Sequence, residues 1–251
     1  MPSKDTSPSL QDFSLIKTHV DKIAQDQGLS KTSLGFVFFA LDLILGLQED
    51  EIENAITDTT YLFERGKEKG HDRGIDALYI DESELPATVH LFNFKYTEQF
   101  KSTTNHFPSG EIDKITIFLR AMMQQDECLD STINKHLSSK VQDIWNLFSN
   151  QNPRFVVHLC ANFYNGFEPQ EQKRFEREVG KFSNFSIEYH LIPWIVSSLT
   201  RKGKQVVNAR IRAIDKNLFG YPRKAGHLTL STTSRHDLIA LPRSRQVFDL
   251  R

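Results

Sequence analysis

Cysteine is nearly absent, with 2 in 251 residues. Two thiols cannot build a disulfide framework, and Cys128 and Cys160 sit in no CxxC or Cys/His spacing. Both read as ordinary thiols, and a structural zinc site is not expected. Long apolar runs are missing too. The longest, Leu34 to Leu47, is interrupted by Asp42, and a membrane-spanning helix needs roughly 20 apolar residues. That stretch reads as a buried core helix, and no membrane partner is expected. Met1 to Leu10 is polar, with two prolines and no apolar signal core, so the expected location is the cytoplasm. Gly66, Gly70 and Gly74 are not followed by the GK[ST] end of a phosphate loop, and no GxSxG elbow occurs. The 9 histidines form no HExxH or other metal-ligand spacing and read as structural or exposed. There is no internal repeat and no low-complexity tract.

What is present is an ordinary globular balance, 39% hydrophobic and 25% charged, which argues against wholesale disorder and against a coiled coil. The net charge of −1 hides an uneven distribution. Residues 201–251 hold 12 Lys and Arg against 3 Asp and Glu, whereas residues 1–200 hold 19 against 29. Between Asp42 and Glu84 there are 13 acidic and 4 basic residues. Two solvated surfaces would account for this. So would an acidic group that holds a metal ion beside a basic third that meets a polyanion.

Periodicity gives the element order. Leu15, Ile16, His19, Val20 and Ile23 predict a helix over 11–27, ended by Gly28. A core helix over 34–47 and a short helix over 49–57 follow. The glycine-containing stretch 59–74 predicts a mobile loop. Strands are expected at 75–80 and 88–96, with a turn at 81–86. In the second strand Val89, Leu91, Asn93 and Lys95 share one face, and His90, Phe92, Phe94 and Tyr96 the other. Helices are expected from Ser109 onward and over 131–149. Beyond Pro153 the pattern predicts strands at 155–161 and 185–192, helices at 169–181 and 194–200, and further strands at 206–214 and 227–230. The expectation is an α/β protein with a domain over 11–150 and a second small α/β unit over 151–251.

One constellation points to chemistry. Gly74-Ile75-Asp76 opens the first strand, and Asn93-Phe94-Lys95 closes the second. In a hairpin these ends meet, so a carboxylate able to hold a divalent cation would face a lysine able to orient water and stabilise charge on a phosphate. A strand-end cap and a solvated lysine would explain the same residues without chemistry.

Ala55-Ile56-Thr57-Asp58, Gly70-His71-Asp72-Arg73-Gly74-Ile75-Asp76-Ala77-Leu78-Tyr79-Ile80-Asp81 and Leu91-Phe92-Asn93-Phe94-Lys95-Tyr96 together resemble the abortive-infection phage-resistance family. Its pattern is similar to the Mrr-type branch of the PD-(D/E)xK nucleases. The resemblance is strongest over 34–120. It implies a restriction-endonuclease-like mixed sheet flanked by helices, and hydrolysis of phosphodiester bonds with Mg²⁺ or Mn²⁺. It implies Asp76 as the metal-binding aspartate, Lys95 as the catalytic lysine and Asp72 as a supporting acid. Asn93 stands where the general pattern has Glu and this branch often Gln. It would offer the metal one neutral oxygen, and metal affinity should fall. The resemblance leaves the upstream acid open: Asp42, which sits within an apolar helix, is a candidate metal ligand, with Glu51 and Asp58 as further options. Family members are longer, so the end at Val247 to Arg251 is expected to be a truncation.

The expected partner is nucleic acid, DNA ahead of RNA. Arg201, Lys202, Lys204 and Arg210 are candidates for phosphate contacts, and Lys101, His106 and Lys114 are secondary ones. An oligomer is compatible with the sequence. The expected function is a nuclease in anti-phage defence. The alternative is a catalytically inactive nucleic-acid-binding or protein-interaction module that keeps the nuclease fold.

Overall fold

The computed structural model describes residues 8–67, 70–202, 219–223 and 227–231. Helix α1 (Leu10–Asp26) starts at Ser9, whose hydroxyl accepts the Asp12 N–H at 3.3 Å, and it buries Phe13, Ile16 and Val20. Gly28, at φ +60°, follows its end. Helix α2 (Thr32–Leu45) buries nine of its 14 residues, as its largely apolar sequence requires. It packs closely on α1 because Gly35 has no side chain: a Cβ there would lie 2.6 Å from the Val20 carbonyl oxygen. Two short helices follow, α3 (Glu49–Ala55) and α4 (Thr59–Glu64). The loop expected over 59–74 is therefore helical at its start. Asp58 caps α4 through the Tyr61 N–H, which outweighs the breaking effect of the later glycines.

Strands β1 (Ala77–Asp81) and β2 (Thr88–Lys95) form an antiparallel hairpin, with Ala77 opposite Phe92. Helices α5 (Gly110–Met123) and α6 (Lys135–Phe148) then lead to β3 (Arg154–Ala161), which pairs parallel with β2 over its whole length. Helix α7 (Pro169–Val179) leads to β4 (Phe185–His190), parallel to β3, and α8 (Ile192–Lys202) follows. Parallel neighbours need such crossovers. The result is an open four-stranded mixed sheet in the order β1-β2-β3-β4.

Alternation along β2 divides the molecule into two layers. Val89 and Leu91 join a core with Ile112, Ile115, Phe118, Leu137 and Phe175 from α5, α6 and α7. Phe92 and Phe94 join the opposite core with Ile16, Val20, Phe36, Leu41 and Ile195 from α1, α2 and α8. Each fully buried side chain of this size contributes about 1.5–3 kcal/mol, so a one-residue slip of β2 would exchange both cores at once.

The boundary expected at 150 does not hold. The β2–β3 pairing crosses it, because the 151–202 segment supplies β3 and β4 to the same sheet. The chain divides into two compact units at Met1–Gly203 and Lys204–Arg251. In the second unit, β5 (Phe219–Arg223) and β6 (His227–Ser231) form an antiparallel hairpin. β6 coincides with the strand expected at 227–230, and β5 lies where no strand is expected. The strand expected at 206–214 lies outside the described residues. No single helix among the described residues is long and apolar enough to cross a membrane.

Candidate functional site

The site forms where the segment before β1 meets the end of β2. Gly74 turns the chain at φ +79°, a conformation that glycine adopts without strain. Its N–H donates to Asp72 Oδ1 at 3.0 Å, and its carbonyl accepts from Asn93 Nδ2 at 2.8 Å. Two residues later Asp76 is locked from three sides. Its N–H donates to the Phe92 carbonyl at 2.8 Å, and its carbonyl accepts from the Thr57 and Asp58 N–H groups. Its carboxylate Oδ2 accepts from the Phe94 N–H at 2.6 Å.

Asp58 and Asp72 join it. Asp58 Oδ1 accepts the Tyr61 N–H at 2.7 Å. Asp72 Oδ2 accepts the Thr59 hydroxyl at 3.0 Å. Each of the three aspartates offers an oxygen within 4.8 Å of the other two. Burial pushes Asp76 up to about 7; Lys95 pulls against this, while Asp72 and Asp58 add to it. Asp58 is also raised, by burial first and then by the charge of Asp72. Like charges held close together resist ionisation, and a cation between them relieves the cost.

A basic group adjoins the acids. Lys95 Nζ lies 3.6 Å from Glu111 Oε1, in the first turn of α5. Lys114 Nζ donates to the same oxygen at 3.0 Å, and Asn93 Nδ2 donates to Glu111 Oε2 at 3.2 Å. Burial would raise Glu111, but Lys95, Lys114 and Asn93 together hold it below the usual carboxylate range. Lys114 is raised by its bond to Glu111.

Of the residues expected from sequence, Asp76, Asp72, Asn93 and Lys95 come together here. Asp58 supplies the third carboxylate. Asp42 does not: it lies on α2 and is not part of the three-carboxylate group. The likeness of Asp42 to a costly buried acid misled, since it is only half-buried. Glu51 is spent on the capping box of α3, accepting the Gln48 N–H at 2.7 Å. Arg201 is exposed near the end of α8 and donates to Ser198 Oγ at 3.3 Å. Lys202 is the last residue of that helix. Lys204 and Arg210 lie outside the described residues. His106 faces Gly166 O and Glu168, and Lys114 is paired with Glu111.

Glu111 escaped the sequence reading. Its signal is its place two residues after Ser109, in the first turn of a helix, three residues before Lys114. Whether a divalent cation suits this site is answered by its donors. They are carboxylate oxygens, the kind Mg²⁺ and Mn²⁺ take. In addition, the buried Asn93 Oδ1 has no hydrogen-bond partner. The residues therefore fit such an ion. Compared with known proteins, the chain matches no family model, no curated protein and no solved structure.

Proposed function

We propose that the chain is a metal-dependent nuclease with a restriction-endonuclease-like core, cutting phosphodiester bonds of nucleic acid, DNA ahead of RNA, in cytoplasmic anti-phage defence. The observation that carries this reading is the convergence of Asp58, Asp72 and Asp76 at the mouth of a hairpin whose second strand ends in Lys95. The resemblance of residues 55–58, 70–81 and 91–96 to the abortive-infection phage-resistance family agrees with it. Asp76, Asp72 and Asp58 would hold Mg²⁺ or Mn²⁺, with the Asn93 amide oxygen as a neutral fourth donor. Such an ion supplies Lewis-acid polarisation of a phosphoryl oxygen and a more acidic bound water.

The protein's own groups do the rest. The Phe94 N–H fixes the Asp76 carboxylate. Lys95, held in place by Glu111, orients the attacking water and stabilises the charge that grows on the phosphate. Glu111 returns to the site the negative charge that Asn93 lacks. Arg201, Lys202, Lys204 and Arg210 would contact the phosphate backbone, so binding should weaken with salt.

A second reading is favoured by one observation. Asn93 is a neutral amide, its nitrogen engaged with Gly74 and Glu111, at the position where the general pattern has a charged carboxylate, as in a module that keeps the fold and binds without cutting. A nuclease assay separates the two. Plasmid, single-stranded DNA and RNA are incubated with Mg²⁺ or Mn²⁺ and with EDTA, beside Asp76→Ala and Lys95→Ala. Metal-dependent cutting lost in both variants is expected. Folded protein that cuts nothing, yet loses nucleic-acid binding when Arg201, Lys202 and Lys204 are replaced together, would favour the binding module.

A further inference from the structure

We propose that His158, His190 and Glu188 form a second metal site, for one zinc-class transition-metal ion, on the opposite side of the sheet's centre from β1. Strand pairing builds it. His158 on β3 is opposite Glu188 on β4, and His190 lies two residues further along β4 on the same face. The three candidate ligand atoms form a compact triangle. His158 Nδ1 and His190 Nε2 are 2.9 Å apart. Glu188 Oε2 lies 3.5 Å from the first and 3.3 Å from the second. A tetrahedral ion with bonds of about 2.0–2.1 Å separates its ligand atoms by roughly 3.3 Å. The site therefore has the dimensions of one face of that tetrahedron before any ion arrives.

Its chemistry differs from that of the aspartates. Two imidazole nitrogens and one carboxylate oxygen suit zinc and its neighbours, and a set of three leaves a fourth position for water or a ligand. Both rings are held. His158 stacks on Phe92 with centroids 4.3 Å apart, and the Trp194 ring meets His190 edge-on at 4.2 Å. The other nitrogen of His158, Nε2, lies 2.9 Å from His90 Nδ1. With a metal on Nδ1, Nε2 carries the hydrogen and donates to His90, the outer partner that ligating histidines usually have. His158 is 2% exposed and His190 3%. Burial pushes both rings down, to about 2 and about 4, with the neighbouring histidines adding to the effect at His158. They are neutral at pH 7. One of the two facing nitrogens carries the hydrogen of their hydrogen bond, so binding an ion moves that hydrogen to the far nitrogen of the same ring.

Packing alone does not explain this tier. The buried His190 Nδ1 has no hydrogen-bond partner, a condition that costs stability. An apolar ring would avoid that cost. Glu188, by contrast, is 52% exposed, so an ion can enter from the outer edge of β4, the last strand of the sheet.

The test uses the full chain, stripped with EDTA and then freed of it, titrated with Co²⁺ and followed by visible absorption. One equivalent should give the intense band of four-coordinate cobalt, and Zn²⁺ should bleach it. The band should survive in Asp76→Ala, which separates this site from the carboxylate one. Glu188→Gln, at a half-exposed position that leaves the core intact, should weaken binding by more than about 100-fold, and His90→Ala by roughly 10–100-fold. His190→Ala should abolish the band in protein shown to be folded by circular dichroism. The proposal is overturned if no four-coordinate band forms. It is also overturned if the band ignores Glu188→Gln, or if cobalt binds in six-coordinate form and is displaced by Asp76→Ala.

Discussion

Two polar clusters share the sheet, and burial acts on them in the same way with opposite chemical results. At the β1–β2 end, burial favours the protonated form of Asp76. Across β3 and β4, it favours the unprotonated form of His158 and His190. Each time the neutral species wins, because a low-dielectric surrounding penalises charge of either sign. A neutral carboxylic acid is a poor ligand, whereas a neutral imidazole is a good one. Asp76 therefore waits for a cation or for alkaline pH, while the histidines stand ready. The supports differ as well. The aspartates sit on a turn and a helix cap and are fixed by backbone N–H groups. The histidines are borne on paired strands and fixed by stacked rings.

The comparison breaks most sharply at Asp76. Asp76→Asn keeps an acceptor for the Phe94 N–H and removes the buried charge. The proposed nuclease activity should fall by about 10³-fold while the protein gains stability at pH 8. The sign follows from the raised pKa. The folded state resists ionisation, so the wild-type aspartate costs stability progressively from about pH 4 upward, fully so above about pH 7. Urea midpoints of variant and wild type should coincide near pH 4 and diverge towards pH 8. A variant no more stable than wild type at pH 8 would remove the argument from burial.

The histidine tier should show the mirror image. Its folded pKa values lie below the unfolded value of 6.5. The stability it contributes is complete above pH 6.5 and is lost as pH falls below that. In EDTA each of the two rings should cost about 2 kcal/mol at pH 5 relative to pH 7.5, measured by urea unfolding. A flat profile between those pH values would mean that water reaches the tier.

The two clusters also differ in how far they could be read from sequence. Asp72, Gly74 and Asp76 lie within five residues, and Asn93 and Lys95 are two apart on a strand whose alternation is plain. Local spacing carries that geometry, because a hairpin brings near neighbours together. The alternation of Val89 and Leu91 with Phe92 and Phe94 likewise shows that the two pairs lie on opposite faces, and each pair joins a different core. His90, His158 and His190 are separated by 68 and 32 residues, and only the register of two parallel crossovers unites them. Glu111 was hidden for the same reason, since nothing local says that the first turn of α5 faces β2. The domain boundary failed because Pro153 marks the start of a strand, and a strand start does not say which sheet it joins.

Glu111 supplies the finest test, since it bridges the reading that depends on a motif and the geometry that does not. Its carboxylate touches Asn93, Lys95 and Lys114. Glu111→Gln keeps the shape but releases Lys95, and activity should fall roughly 10²-fold, the scale of a misplaced catalytic group. If Glu111 stands in for the acid absent at position 93, moving the charge should restore function. Asn93→Glu with Glu111→Gln should then recover most of the lost rate. Asn93→Glu with Glu111 intact should gain nothing, because two carboxylates would be forced together. Equal rates in Glu111→Gln and in the double variant would show that a carboxylate at position 93 does not replace Glu111, and that Glu111 does not stand in for an acid missing there.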